Sequence, residues 1–137
     1  STPEVLREHM MPSSYRILMM VAFGSAVGGV LRFLLGNAFG DAVQVPWRTF
    51  VINVTGSLIL GAFLHWSERQ GTGHPGLRAF VAVGLCGGYT TFSTFSYETV
   101  VLLEVGAYAR AVTYALGSVA ASIGAVFAGF GVAKLFA

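Results

Sequence analysis

Apolar residues gather into four long stretches separated by short polar connectors. They run from about Tyr15 to Phe39, from Trp47 to Trp66, from about Leu77 to Val105 and from about Ala107 to Phe136. At about 1.5 Å per helical residue, each can cross a hydrocarbon core of about 30 Å. The pattern predicts four transmembrane helices. The second stretch carries its own ruler: Trp47 and Trp66 bracket it, and that spacing covers roughly 28 Å of helix. Indoles favour the membrane interface, so the pair is expected to mark both water boundaries. Pro46 suits a first helical turn, where its missing N–H is no loss.

The connectors, Gly40–Pro46, Ser67–Gly76 and Val105–Arg110, are too short to hold a soluble domain. Residues 1–14 include Glu4, Arg7, Glu8 and His9 and lack a convincing small-residue cleavage site. They are expected to be a disordered or partly helical tail. Residues 15–137 then form a single four-helix domain.

Polar positions inside the apolar stretches break the monotony at four places. In the third stretch, Gly84, Gly87 and Gly88 precede Thr90, Thr91, Ser93, Thr94 and Ser96, and the run ends at Glu98. A backbone break in lipid survives only where its carbonyls line a cavity or bind an ion. An interruption over Gly87–Thr91, near mid-membrane, is therefore expected; a continuous glycine-containing helix is the competing reading. Phe92 and Phe95, three apart, share a helix face. Thr91, Thr94 and Glu98 lie on a neighbouring one. A phenyl ring has a positive edge. Ring edges and hydroxyl donors together suit a small, strongly hydrated anion losing its water, although phenylalanines also simply pack.

In the second stretch Thr49, Asn53 and Ser57 recur every four residues. Asn53 is costly in hydrocarbon unless paired; it either joins helices or donates into a pathway. In the fourth, Tyr114, Ser118 and Ser122 repeat the spacing, a ladder of hydroxyls about 6 Å apart. In the first, Arg32 is an intramembrane cation, either snorkelling to the interface or drawing anions into a vestibule.

Composition sharpens this picture. Hydrophobic residues make up 55% of the 137 and charged residues 10%, with mean hydropathy +0.71. Soluble domains carry roughly 25% charged residues, so this surface must face lipid. The net charge of +2 is dispersed and gives no nucleic-acid footprint. Arg7, Arg16, Arg69, Arg78 and Lys134 fall on the side of the termini; Arg48, Arg110 and Arg32 fall toward the other. So weak a bias permits insertion in both orientations, or a fixed but poorly marked one. Small residues four apart (Gly24 and Gly28, Gly36 and Gly40, Gly84 and Gly88), with Gly117 and Gly124, offer close-packing faces. One chain can hardly satisfy all of them, and a dimer is expected. Cys86 reads as a small buried residue. The histidines His9, His65 and His74 have no metal-ligand spacing, and no catalytic set can be assembled.

The string Gly87-Gly88-Tyr89-Thr90-Thr91-Phe92-Ser93-Thr94-Phe95-Ser96 resembles the Fluc fluoride channel family, also called CrcB. So do Gly28-Gly29-x-x-Arg32 and Asn53-x-x-Gly56-Ser57. The resemblance covers about Val21 to Ala133. It implies an antiparallel, dual-topology homodimer in the bacterial inner membrane, with two pores passing fluoride passively outward and so conferring fluoride resistance. By position it implies pore-lining Phe92 and Phe95, a pore asparagine at Asn53, and a polar track of Ser93, Thr94, Ser118 and Ser122 that Tyr114 extends. It puts Arg32 by a vestibule. It also implies a structural Na+ at the dimer centre, held by the carbonyls of Gly87 and Thr90 from both copies. Two other readings compete. A small multidrug transporter would carry a carboxylate in its first helix, where Tyr15–Phe39 has none. A non-transporting assembly subunit would conduct nothing.

Overall fold

The computed structural model describes residues 2–38, 46–71 and 74–136, with side chains from Ser14 onward and at Pro3. Among them every regular element is helical. Helix α1 spans Thr2–Ala38 and α2 spans Trp47–Arg69. A composite helix follows: α3 over Pro75–Arg78, a π-helical segment over Ala79–Cys86, and the single turn α4 over Gly87–Tyr89. Helices α5, Phe92–Glu104, and α6, Tyr108–Leu135, complete the chain. The backbone of the expected tail simply continues α1 back to Thr2.

Three helical runs are long and apolar enough to cross a membrane: Ser14–Ala38, Trp47–Arg69 and Tyr108–Leu135. The chain is a multi-pass membrane protein. The third apolar stretch is different, because it is divided. Its two pieces, the composite helix and α5, are each shorter than the ~20 residues a spanning helix needs. The division is narrower than the glycine run suggested. Gly87–Tyr89 keep helical geometry, while Thr90 (φ −78°, ψ 157°) and Thr91 (φ −148°, ψ 114°) are extended.

Packing follows two seams. Helix α1 lies on the composite helix through Gly24, Gly28, Gly84 and Gly88. A Cβ on Gly28 would sit 2.2 Å from the Leu85 carbonyl oxygen, and one on Gly88 would sit 2.6 Å from that of Ser25. These expected small-residue faces do bring backbones together. Helix α2 lies on α6 through Gly61 and Gly129, where a Cβ on Gly129 would come within 2.5 Å of the Leu58 oxygen. Gly36, Gly117 and Gly124 meet nothing within 4 Å among the described residues of the single chain, and Gly40 lies outside those residues.

Ile52 apart, the interior is made of small or polar side chains: Ala79, Cys86, Ala111, Tyr114, Ala125 and Ala133, with Thr49, Thr91 and Ser118. The large apolar residues, such as Phe23, Phe33, Leu116, Ile123 and Phe127, point outward. That arrangement is stable only where the surroundings are as apolar as the core. Trp47 and Trp66 are exposed at the two ends of α2. A tight turn joins α5 to α6. Gly106 adopts φ 78°, Gly106 N–H donates to Leu103 O (3.1 Å) and Ala107 N–H to Leu102 O (2.9 Å). This is a Schellman closure, which caps the last carbonyls of α5.

Candidate functional site: the broken helix and the polar cleft beside it

The break exists because two side chains take amides that a continuous helix would use. Asn53, on α2, accepts from Thr91 N–H at Oδ1 (2.8 Å) and donates from Nδ2 to Thr91 O (3.1 Å). One carboxamide thus satisfies both backbone groups of an extended residue. Thr91 in turn caps α5. Its Oγ1 accepts from Thr94 N–H (3.2 Å) and donates to Thr94 Oγ1 (2.9 Å), with Ser93 Oγ 3.4 Å away. A Thr N-cap stabilises a helix start by about 1 kcal/mol.

On the other side of the break, Arg32 is half-buried and donates from Nε to Gly88 O (3.2 Å). A cation there suits the C-terminal end of a helical segment. Tyr89 and Thr55 share a 2.7 Å hydroxyl hydrogen bond, which ties α4 to α2. The spacing of Thr49, Asn53 and Ser57 pointed away from Thr55, and only the fold pairs it with a tyrosine 34 residues on.

Below the break lies an aromatic cluster. Phe92 and Phe95 have ring centroids 5.7 Å apart, and Phe95 and Tyr114 5.3 Å apart. Phe95 is half-buried, but Phe92 is 78% exposed and turns away from its own chain. Thr49 donates its hydroxyl to the Glu98 carboxylate, closing α2 onto α5. The sequence places Thr49 in a polar stripe and Glu98 on a helix face, and only the fold joins them.

Tyr114 and Ser118, one turn apart on α6, are buried; the Tyr114 hydroxyl lies beside the Thr49–Glu98 pair, and Ser118 Oγ has no hydrogen-bond partner among the described residues. Both line a cleft of about 460 Å³ with Pro46, Trp47, Phe50 and Arg110. Unpaired buried hydroxyls are uncommon, because each forfeits about 1–3 kcal/mol, and that of Ser118 belongs to a residue on the wall of this cleft. Ser122, a further turn along, is half-buried. Other hydroxyls of α5 are already used: Ser96 Oγ donates to Phe92 O (2.9 Å) and Thr99 Oγ1 to Phe95 O (2.8 Å).

Residues 19–130 match the family model described as CrcB-like protein, Camphor Resistance (CrcB). The chain belongs to the CrcB family. Its relatives include the fluoride-specific ion channel FluC of Nitrobacter winogradskyi, 44% identical, covering 88% of this chain and 98% of that protein. The protein of that name from a Caulobacter species is 42% identical, over 85% and 94% of the two chains. One from Leptospira interrogans is 40% identical, over 87% and 95%. The CrcB-family assignment supports neither the multidrug transporter nor the assembly subunit, and these relatives are named as channels rather than enzymes.

The backbone of this CrcB-family chain also suits a hard cation at the break. In a continuous helix Gly87 O and Thr90 O would accept from the amides four residues on. Those amides belong to Thr91 and Thr94, and they go to Asn53 Oδ1 and Thr91 Oγ1 instead. Two carbonyl oxygens are thus released from the helical ladder, and hard cations such as Na+ take neutral oxygen ligands. Among the described residues no group of His, Cys, Asp or Glu is placed to hold a metal.

Proposed function

We propose that this chain is a fluoride-selective channel that lets fluoride leave the cell passively across the bacterial inner membrane, conferring fluoride resistance. The observation that carries the reading is the pair of buried hydroxyls of Tyr114 and Ser118 on the wall of the cleft, that of Ser118 unpartnered among the described residues and that of Tyr114 set beside the Phe95 ring. Fluoride holds its hydration shell tightly because its charge is concentrated. A narrow path must return that stabilisation through short O–H donors and positive ring edges. Chloride, being larger, fits such donors poorly. Ser93, Thr94 and Ser122 extend the polar track, Phe92 and Phe95 flank it, and Asn53 holds the bend that aims them. Arg32, half-buried and donating to Gly88 O, draws anions toward the path.

The composite helix together with α5 makes the fourth crossing in this reading, its break supported in lipid by Asn53, Arg32 and Thr91. Two chains assemble as an antiparallel, dual-topology homodimer. The exposed Phe92 ring and the unfilled faces at Gly117 and Gly124 support a second chain. A Na+ ion at its centre is held by Gly87 and Thr90 carbonyls from both copies, neutralising four oxygens that would otherwise repel one another.

The test is efflux from liposomes. Purified protein in vesicles loaded with potassium fluoride, with valinomycin added, should empty fluoride on an ion-selective electrode. Vesicles loaded with chloride should stay full. Vesicles that hold fluoride, or lose chloride equally fast, would overturn the proposal.

A further inference from the structure

Where α1 enters the membrane, a groove of about 810 Å³ opens between it and the start of the composite helix. Its walls are Met19, Met20 and Phe23 of α1 with Leu77 and Phe80 opposite, and Tyr15 and Arg16 stand at its mouth. The lining is divided by chemistry along its length: one cation and one phenol at the interface end, and only apolar side chains beyond. Among the described residues no carboxylate lines it and Arg16 has no ion pair. Arg16 stands at the start of the apolar stretch that begins at about Tyr15, after the polar run Glu4, Arg7, Glu8 and His9, which sets it at headgroup depth. From Arg16 to Phe23 the groove follows roughly 10 Å of α1, which leaves its far end short of the bilayer midplane, about 15 Å down.

We propose that this groove is a binding site for one anionic phospholipid, its phosphate paired with Arg16 and an acyl chain laid along Met19, Phe23 and Phe80. The apolar walls alone would accept any lipid chain. The Arg16 guanidinium, with no carboxylate beside it among the described residues, selects a headgroup of net negative charge over a zwitterionic one, whose own cation it repels. Tyr15 supplies a phenol hydroxyl at the depth where aromatic side chains favour the interface. The site is independent of which ion the protein conducts.

Native mass spectrometry of the full-length protein in detergent tests this, with phosphatidylglycerol or phosphatidylcholine of the same acyl chains added at equal concentration. Phosphatidylglycerol adducts should predominate, and Arg16→Gln should reduce them about fivefold while leaving phosphatidylcholine adducts unchanged. Lys134→Gln, which removes an exposed cation outside the groove, should change neither. Glycerol phosphate, the headgroup without chains, should leave no adduct; its retention would make this a phosphate site and overturn the proposal. Equal binding of the two lipids, or parental phosphatidylglycerol binding by Arg16→Gln, would also overturn it. So would efficient disulfide formation between two copies of a Met19→Cys variant, because that puts a second protein chain where the lipid should lie.

Discussion

Replacing Asn53 with leucine isolates the mechanism that bends the third apolar stretch. Leucine keeps nearly the same volume but removes both hydrogen bonds to Thr91. Thr91 is buried, so its N–H and C=O lose their partners without water to replace them. Each unsatisfied buried group costs about 1–3 kcal/mol, giving a loss of about 2–6 kcal/mol at the break. Two measurements read it. Hydrogen exchange at the Thr91 amide should speed up by about 30-fold even at the low end of that range, and the melting temperature in detergent should fall. The alternative open to the orphaned amide is to bond Gly87 O. That requires Thr90 and Thr91 to leave their extended conformations, which straightens the helix and swings Phe92 and Phe95 away from Tyr114. Either route should abolish fluoride efflux. Asn53→Asp separates the two bonds: it keeps an acceptor for Thr91 N–H and sets a carboxylate oxygen against Thr91 O, so exchange stays slow while stability drops. Loss of efflux in the leucine variant with parental exchange and parental melting temperature would place the work of Asn53 on the ion alone and refute the clamp.

Phe92→Ile should slow fluoride efflux at least about tenfold while each chain keeps its parental fold, read by circular dichroism. The ring is exposed on its own chain, and exposed substitutions change stability by only about 0.5 kcal/mol. Gly129→Ala should lower thermal stability by about 1–3 kcal/mol, because its methyl would meet Leu58 O at 2.5 Å. Gly124→Ala, with nothing within 4 Å in the single chain, tests whether a partner fills that face: a fall in dimer affinity by fluorescence energy transfer in liposomes says that it does. Exchanging sodium for N-methylglucamine should destabilise the dimer while leaving the helical content of each chain intact, read by the same energy transfer and by circular dichroism.

The membrane-crossing stretches were legible along the chain because lipid is a simple solvent. A helix in it must bond its own backbone and cover itself with apolar side chains, so hydropathy and length alone locate α1, α2 and α6. The seam at Gly24, Gly28, Gly84 and Gly88 was legible for a related reason: glycine four apart leaves a groove that has few uses except close approach. The glycine and hydroxyl run also announced that the third stretch would not be straight. Its glycines, however, stayed helical, and the break fell at Thr90 and Thr91, because the deciding group was the Asn53 carboxamide from another helix. The same holds for Thr49 with Glu98, Thr55 with Tyr89, and Gly61 with Gly129. In each case a residue's own helix gives it a face, but only the packing of helices decides what that face meets. Local backbone satisfaction is therefore written in the order of residues. The choice of polar partner, with a few kcal/mol turning on each, belongs to the tertiary structure.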